Sequence, residues 1–160
     1  MLHVRLICVG KLKEAFFREA LAEYEKRLGP FCKLEILELP EERLPEIPSA
    51  AEIQMALSRE AVQIEKQLLK GGNLVCLCIE GSMLSSEEFS KLLSEAEQQG
   101  QGRISFVIGG SNGIAEDLKR RSKLRLSMSR MTFPHHLARV MLAEQIYRAF
   151  MIREGTKYHK

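Results

Sequence analysis

No apolar run in this sequence approaches the roughly 18–20 residues needed to cross a bilayer. The opening stretch MLHVRLICVGKLKE has neither the long apolar region nor the small-residue cleavage site of a secretory leader. Internal repeats, linkers and low-complexity tracts are missing as well. Cysteine is limited to Cys8, Cys32, Cys76 and Cys78, mostly inside apolar runs and with no histidine near them in sequence. A lone C-x-C is a poor zinc signature, so these read as buried, reduced thiols. The expectation is a cytoplasmic protein with no membrane span and no metal.

Two phosphate-binding signatures fail on inspection. Gly113 and Gly110 fit the last two slots of G-x-G-x-x-G, but Ile108 occupies the first. A P-loop counted from Gly109 places Ile114 in the second glycine slot, and no Lys-Ser/Thr follows.

What is present is an ordinary globular composition, 45% hydrophobic and 28% charged over 160 residues, enough for one domain with its own core. The net charge of +3 conceals an asymmetry: residues 118–160 carry 11 Lys/Arg against 2 Asp/Glu, a net of +9. Such a block reads either as a solvated basic end or as a contact surface for an anionic partner, of which nucleic acid is the commonest.

Periodicity gives an alternation of strands and helices. LHVRLICV predicts a strand ending at Gly10, and EAFFREALAEYEKRL a helix stopped by Gly29-Pro30. CKLEILEL alternates as a strand exposed on one face. Pro40, Pro45 and Pro48 make a stiff loop, followed by a helix from Ala50 to about Lys70. NLVCLCIEG predicts a strand buried on both faces. Ser85 and Glu88 form an S-x-x-E capping box for a helix to about Gln99. ISFVIGG is another buried strand, Ile114 to Arg121 a short helix, KLRLSMS a last strand, and the stretch from Pro134 to about Arg153 a long helix. The fold class is therefore α/β, a mostly parallel sheet with helices on both faces.

Ligands of such sheets sit beyond the carboxyl ends of the strands. Three exits are unusual: LCIEGSML, IGGSNGI and SMSRMTFPHH. The middle one is nearly bare of side chains. It reads either as a tight turn before a helix or as backbone left open for close approach to a flat ligand.

The segment LSMSRMTFPHHLARVMLAEQIYRAFMIREGTKYHK closely resembles the C-terminal signature of the RlmH family, within the SPOUT superfamily of RNA methyltransferases. GKLKEAFFREALAEYEKRLGP, LCIEGSMLSSEEF, FVIGGSNGI and the terminal GTKYHK extend the resemblance in order along the chain, while Glu41 to Glu65 contributes little. The resemblance implies one SPOUT domain over residues 1–160, with its C-terminal part threaded into a trefoil knot. It implies a homodimer that uses S-adenosylmethionine to methylate N3 of a pseudouridine in 23S ribosomal RNA on the assembled ribosome. It places donor contacts on Leu77, Gly109, Met128, Ser129, Arg130, Met131, Thr132 and Phe133. Leu77, Met131 and Phe133 suit the apolar walls of an adenine site.

The attacking nitrogen carries a proton, and the candidates for handling it are His135, His159, Tyr158, Arg148 and Glu144. Arg148 also stands four residues after Glu144, where an ordinary helix ion pair would account for it. The last helix is apolar on every side, broken by Arg139, Glu144, Gln145 and Arg148, which points to burial against a second subunit. Two competing classes stay open. A nucleotide-binding module would bind a dinucleotide rather than the methyl donor. A non-catalytic RNA-binding protein would bind RNA without any donor.

Overall fold

The computed structural model describes residues 1–99 and 101–160. The element order is β1 (Leu2–Val9), α1 (Ala15–Leu28), β2 (Cys32–Leu39), α2 (Ala50–Gln67), β3 (Asn73–Met83), α3 (Ser86–Gln99), β4 (Arg103–Ile108), α4 (Glu116–Arg121), β5 (Leu124–Ser127) and α5 (His135–Arg153). The strands form one sheet in the order β2-β1-β4-β3-β5, and each neighbouring pair is parallel.

Side-chain alternation along the strands sorts the helices onto two faces. Leu2, Val4, Leu6 and Cys8 of β1 point into one core with Ile104 and Phe106 of β4, covered by Leu28 of α1, Leu93 of α3 and Leu142 and Ile146 of α5. Ile7 and Val9 point the other way, with Val107, toward Ile64 of α2 and Leu118 of α4. Phe106 is fully buried and meets Phe89 of α3 with ring centroids 5.9 Å apart.

Helix starts are fixed by local chemistry. At α3 the capping box foreseen from S-x-x-E is made: Glu88 N–H donates to Ser85 Oγ and Ser85 N–H to Glu88 Oε1, both at 3.0 Å. A second box, Ser49 with Glu52, starts α2.

Three expectations need correction. β3 does not stop at Gly81 and is not buried on both faces throughout. It runs to Met83, and Ile79 and Met83 are exposed. The reason is a bulge: Leu77 and Ser82 both stand opposite Leu126 of β5, so residues 78–81 leave the ladder. α4 begins at Glu116 rather than Ile114, because Ile114 and Ala115 are spent as a buried lead-in. Finally, the buried face of α5 is covered within its own chain. It packs between α1 and α3, and Leu142, Ala143, Ile146 and Ala149 are wholly buried within the chain. No helix among the described residues is long and apolar enough to cross a membrane.

Candidate active site

The exits of β3, β4 and β5 wall a single cavity of about 760 Å³. Its first wall is the β3 bulge, through Leu77, Cys78, Ile79 and Glu80. Gly81 lets this bulge lie against β5, since a Cβ there would come within 2.5 Å of the Arg125 carbonyl oxygen. The bulge itself carried no clear sequence signal beyond that glycine.

The second wall is the loop Gly109–Gly113, and its bareness is first a requirement of its own folding. Gly113 N–H donates to the Gly110 carbonyl at 3.1 Å, closing a tight turn, with Gly113 at φ +83°. A Cβ on Gly109 would stand 2.3 Å from the Gly113 carbonyl oxygen, and one on Gly110 would stand 2.6 Å from Glu41 Oε1. The turn and the open-backbone readings therefore coexist: the turn demands the glycines, and the same loop faces the cavity.

The third wall follows β5. Ser127 Oγ donates to the Ser129 carbonyl at 2.9 Å, and Ser129 Oγ accepts Met131 N–H at 3.0 Å. These local hydroxyl bonds shape a non-helical turn that carries Met128, Ser129, Met131, Thr132 and Phe133 onto the cavity. Arg130 departs from the expectation: it is exposed and does not line the cavity, because the turn points it outward. Leu77 and Gly109 do line it, as does His135 at the start of α5. The lining side chains with a permanent charge are Glu80 and Lys119, paired at 2.7 Å. Burial, with the nearby His136 second, holds the His135 imidazole below its ordinary value.

Arg148, Tyr158 and His159 are grouped elsewhere, on the outer part of α5. Arg148 forks onto Glu144, with Nε–Oε1 at 2.9 Å and Nη2–Oε2 at 3.0 Å, so the i,i+4 reading of Arg148 is realised. The guanidinium also lies over the Tyr158 ring at 4.8 Å. His159 Nδ1 is 3.2 Å from Arg148 Nη1, and its Nε2 is 2.6 Å from Glu87 Oε1. Arginine can only donate, so His159 accepts from Arg148 at Nδ1 and turns Nε2 to Glu87. The terminal segment is thus tied down onto α5 and α3. Tyr158 is pushed up to about 12 by burial and then by the Glu144 charge, so it holds its proton at neutral pH. This constellation borders a second hollow, of about 440 Å³, between α1, α3 and α5. Leu126, Ser127 and Met128 line both hollows and form the partition between them.

Several signals were missed in the sequence. Arg139 is wholly buried and joins Glu38 of β2 at 2.7 Å and the Gly10 carbonyl at 2.6 Å. The basic block is largely neutralised within the chain. Lys119, Arg120, Arg121, Lys123, Arg125, Arg139, Arg148 and Arg153 all have carboxylate partners. Lys119, Arg120 and Arg121, the obvious run in the sequence, are therefore not three free cations. The four cysteines are free thiols. Burial pushes Cys8 and Cys76 up to about 12, and Cys32 and Cys78 up to about 11, which removes thiolate chemistry at neutral pH. Among the described residues, no group of three or more His, Cys, Asp or Glu is placed to hold a metal.

A parallel α/β sheet with an apolar, backbone-lined cavity across three strand exits defines a class: a protein built to bind an organic ligand at the carboxyl edge of its sheet. Residues 2–159 match the family described as "Predicted SPOUT methyltransferase", and the chain belongs to that family. It is also 49% identical over 157 residues to proteins named "Ribosomal RNA large subunit methyltransferase H" from Streptococcus equi subsp. zooepidemicus and Streptococcus equi subsp. equi. Each match covers 98% of this chain and 99% of the relative.

Proposed function

We propose that residues 1–160 act as one methyltransferase domain that uses S-adenosylmethionine to methylate N3 of a pseudouridine in 23S ribosomal RNA, on the assembled ribosome in the cytoplasm. The observation that carries this reading is the cavity at the β3, β4 and β5 exits in a chain of the SPOUT methyltransferase family. The residues present fit the donor. The volume lies within the range of small-molecule sites, about 300–1,000 Å³, and the walls are apolar with open backbone at the glycine turn.

The donor supplies an electrophilic methyl group on a sulfonium. Leu77, Met128, Met131 and Phe133 offer apolar walls, and the Gly109–Gly113 backbone offers amides and carbonyls to a polar edge. Transfer of this kind needs positioning more than covalent help. Of the proton-handling candidates, His135 is the one on the cavity, and burial favours its neutral, proton-accepting form. In the other constellation the Nδ1 of His159 is engaged by Arg148, and Tyr158 retains its proton. We assign that group to meeting the RNA rather than to taking the N3 proton.

The same reading includes a trefoil threading of the C-terminal part and a homodimer. The hollow between α1, α3 and α5, with Val140 and Met141 on its wall, offers a second copy an apolar face. The deciding experiment incubates the protein with labelled donor and ribosomes lacking the modification, then maps the labelled nucleotide. Label on N3 of a 23S pseudouridine supports the reading; no transfer to ribosomes or to free RNA overturns it. Light scattering at micromolar concentration tests the dimer.

A further inference from the structure

The proline-rich connection after β2 took no part in the site as read from the sequence, yet it reaches the glycine loop that lines the cavity. In the sheet order, β1 lies between β2 and β4, so a chain leaving β2 can touch the glycine loop after β4 only by crossing the end of β1. It does so at Gly10, where a side chain would stand 3.8 Å from Glu41 Oε2. Beyond the crossing, Glu41 Oε1 accepts the Ser111 N–H at 2.9 Å and occupies the space a Gly110 side chain would need. The next residue anchors the connection from the opposite side: Glu42 N–H donates to Oε2 of Glu60 on α2 at 2.9 Å, and Glu60 is buried. Pro40, Pro45 and Pro48 limit how far the connection can relax.

Gly110 and Ser111 line the cavity; Glu41 stands behind them. A turn with three glycines and no side-chain packing of its own has many conformations open to it when unliganded. A carboxylate accepting its amide from a stiff, anchored connection removes most of them. Hydrogen bonds to ionised acceptors are stronger than neutral ones, and ordering the loop beforehand lowers the entropic cost of binding.

We propose that Glu41 is a positioning residue for the methyl donor: it holds the Gly109–Gly113 turn in its binding shape from across the end of β1, and so sets donor affinity without entering the chemical step. The proposal rests on the reading of this cavity as the donor site.

The test uses full-length wild type, Glu41→Ala and Glu41→Gln, the last retaining an oxygen that can accept the Ser111 amide. Calorimetry with S-adenosylhomocysteine should show about tenfold weaker binding for Glu41→Ala, in line with loss of one charge-assisted hydrogen bond, and recovery of most of that in Glu41→Gln. The donor KM should rise in parallel, with kcat at saturating donor and the KM for ribosomes unchanged. In ligand-free protein, hydrogen exchange at the Ser111 amide should speed up in Glu41→Ala and be restored in Glu41→Gln. Unaltered affinity in Glu41→Ala, or an equal loss in both variants, overturns the positioning role. A fall in kcat at saturating donor also overturns it. If wild type itself fails to bind S-adenosylhomocysteine, the donor reading of the cavity falls, and the proposal with it.

Discussion

The buried Arg139–Glu38 pair makes an asymmetric prediction. The Arg139 side chain is 1% exposed and the Glu38 side chain 39% exposed. Replacing Glu38 by Gln leaves a guanidinium enclosed with no countercharge, and the cost of an uncompensated buried ion applies, about 3 kcal/mol. Replacing Arg139 by Met removes bonds to Glu38 and Gly10. It also removes the desolvation cost of the cation, several kcal/mol, and Glu38 can return to water while still accepting the Leu12 N–H at 2.7 Å. The net loss is expected near 1–2 kcal/mol, chiefly from the stranded carbonyl at the end of β1. For a domain of this size, Tm should fall by about 6–12 °C for Glu38→Gln and by about half that or less for Arg139→Met. The double variant should resemble Arg139→Met alone, because no buried charge remains. Urea unfolding at fixed protomer concentration, followed by circular dichroism, measures all three. If Arg139→Met proves the more damaging single change, or the two losses add, the buried-charge argument is wrong and Arg139 acts mainly through packing.

Arg130 is exposed between two cavity-lining residues and has no carboxylate partner among the described residues. Arg130→Gln should leave donor affinity unchanged but weaken ribosome binding and reduce its salt slope by about one, measured by filter binding across salt concentrations. The His135 pKa lies below its ordinary 6.5, so the unfolded chain takes up the proton first. This residue's contribution to stability is intact above 6.5 and is lost as pH falls through the folded value. A protonated His135 also repels a sulfonium, so calorimetry should show donor affinity falling over the same interval in wild type and not in His135→Gln. Removal of Tyr158, His159 and Lys160 should spare donor binding, since none of them lines the cavity. It should also cut single-turnover methyl transfer at least tenfold; a truncated enzyme with the wild-type rate would overturn the assignment of the tail to meeting the RNA.

The strands and helices were legible because each rests on local rules. The apolar run LHVRLICV makes a strand with a core on each face of β1, and Ser85 with Glu88 caps α3 whatever lies around them. The glycine exit after β4 was visible for the same reason. The family signature supplied the remaining candidate residues, and the structure gathers seven of the eight donor candidates on one cavity. Arg130 escaped because a contiguous run in sequence does not reveal which way each side chain points in a turn.

Other features depend on partners far apart in the chain. Glu41 meets Ser111 across 70 positions and Arg139 meets Glu38 across 101; nothing local to either residue announces its partner. The basic end likewise looked free because its countercharges, Glu65, Glu80, Glu95 and Glu97 among them, come from earlier elements. The sequence by itself determined the alternation of strands and helices, the parallel sheet it requires, and the bare turn at the edge of that sheet. Strand order was left to tertiary packing. By placing β1 between β2 and β4, it brought the proline-rich connection across Gly10 to the back of the cavity. Propensity acts over a few residues, whereas strand order and ion pairing are settled by which surfaces meet when the whole chain is buried together.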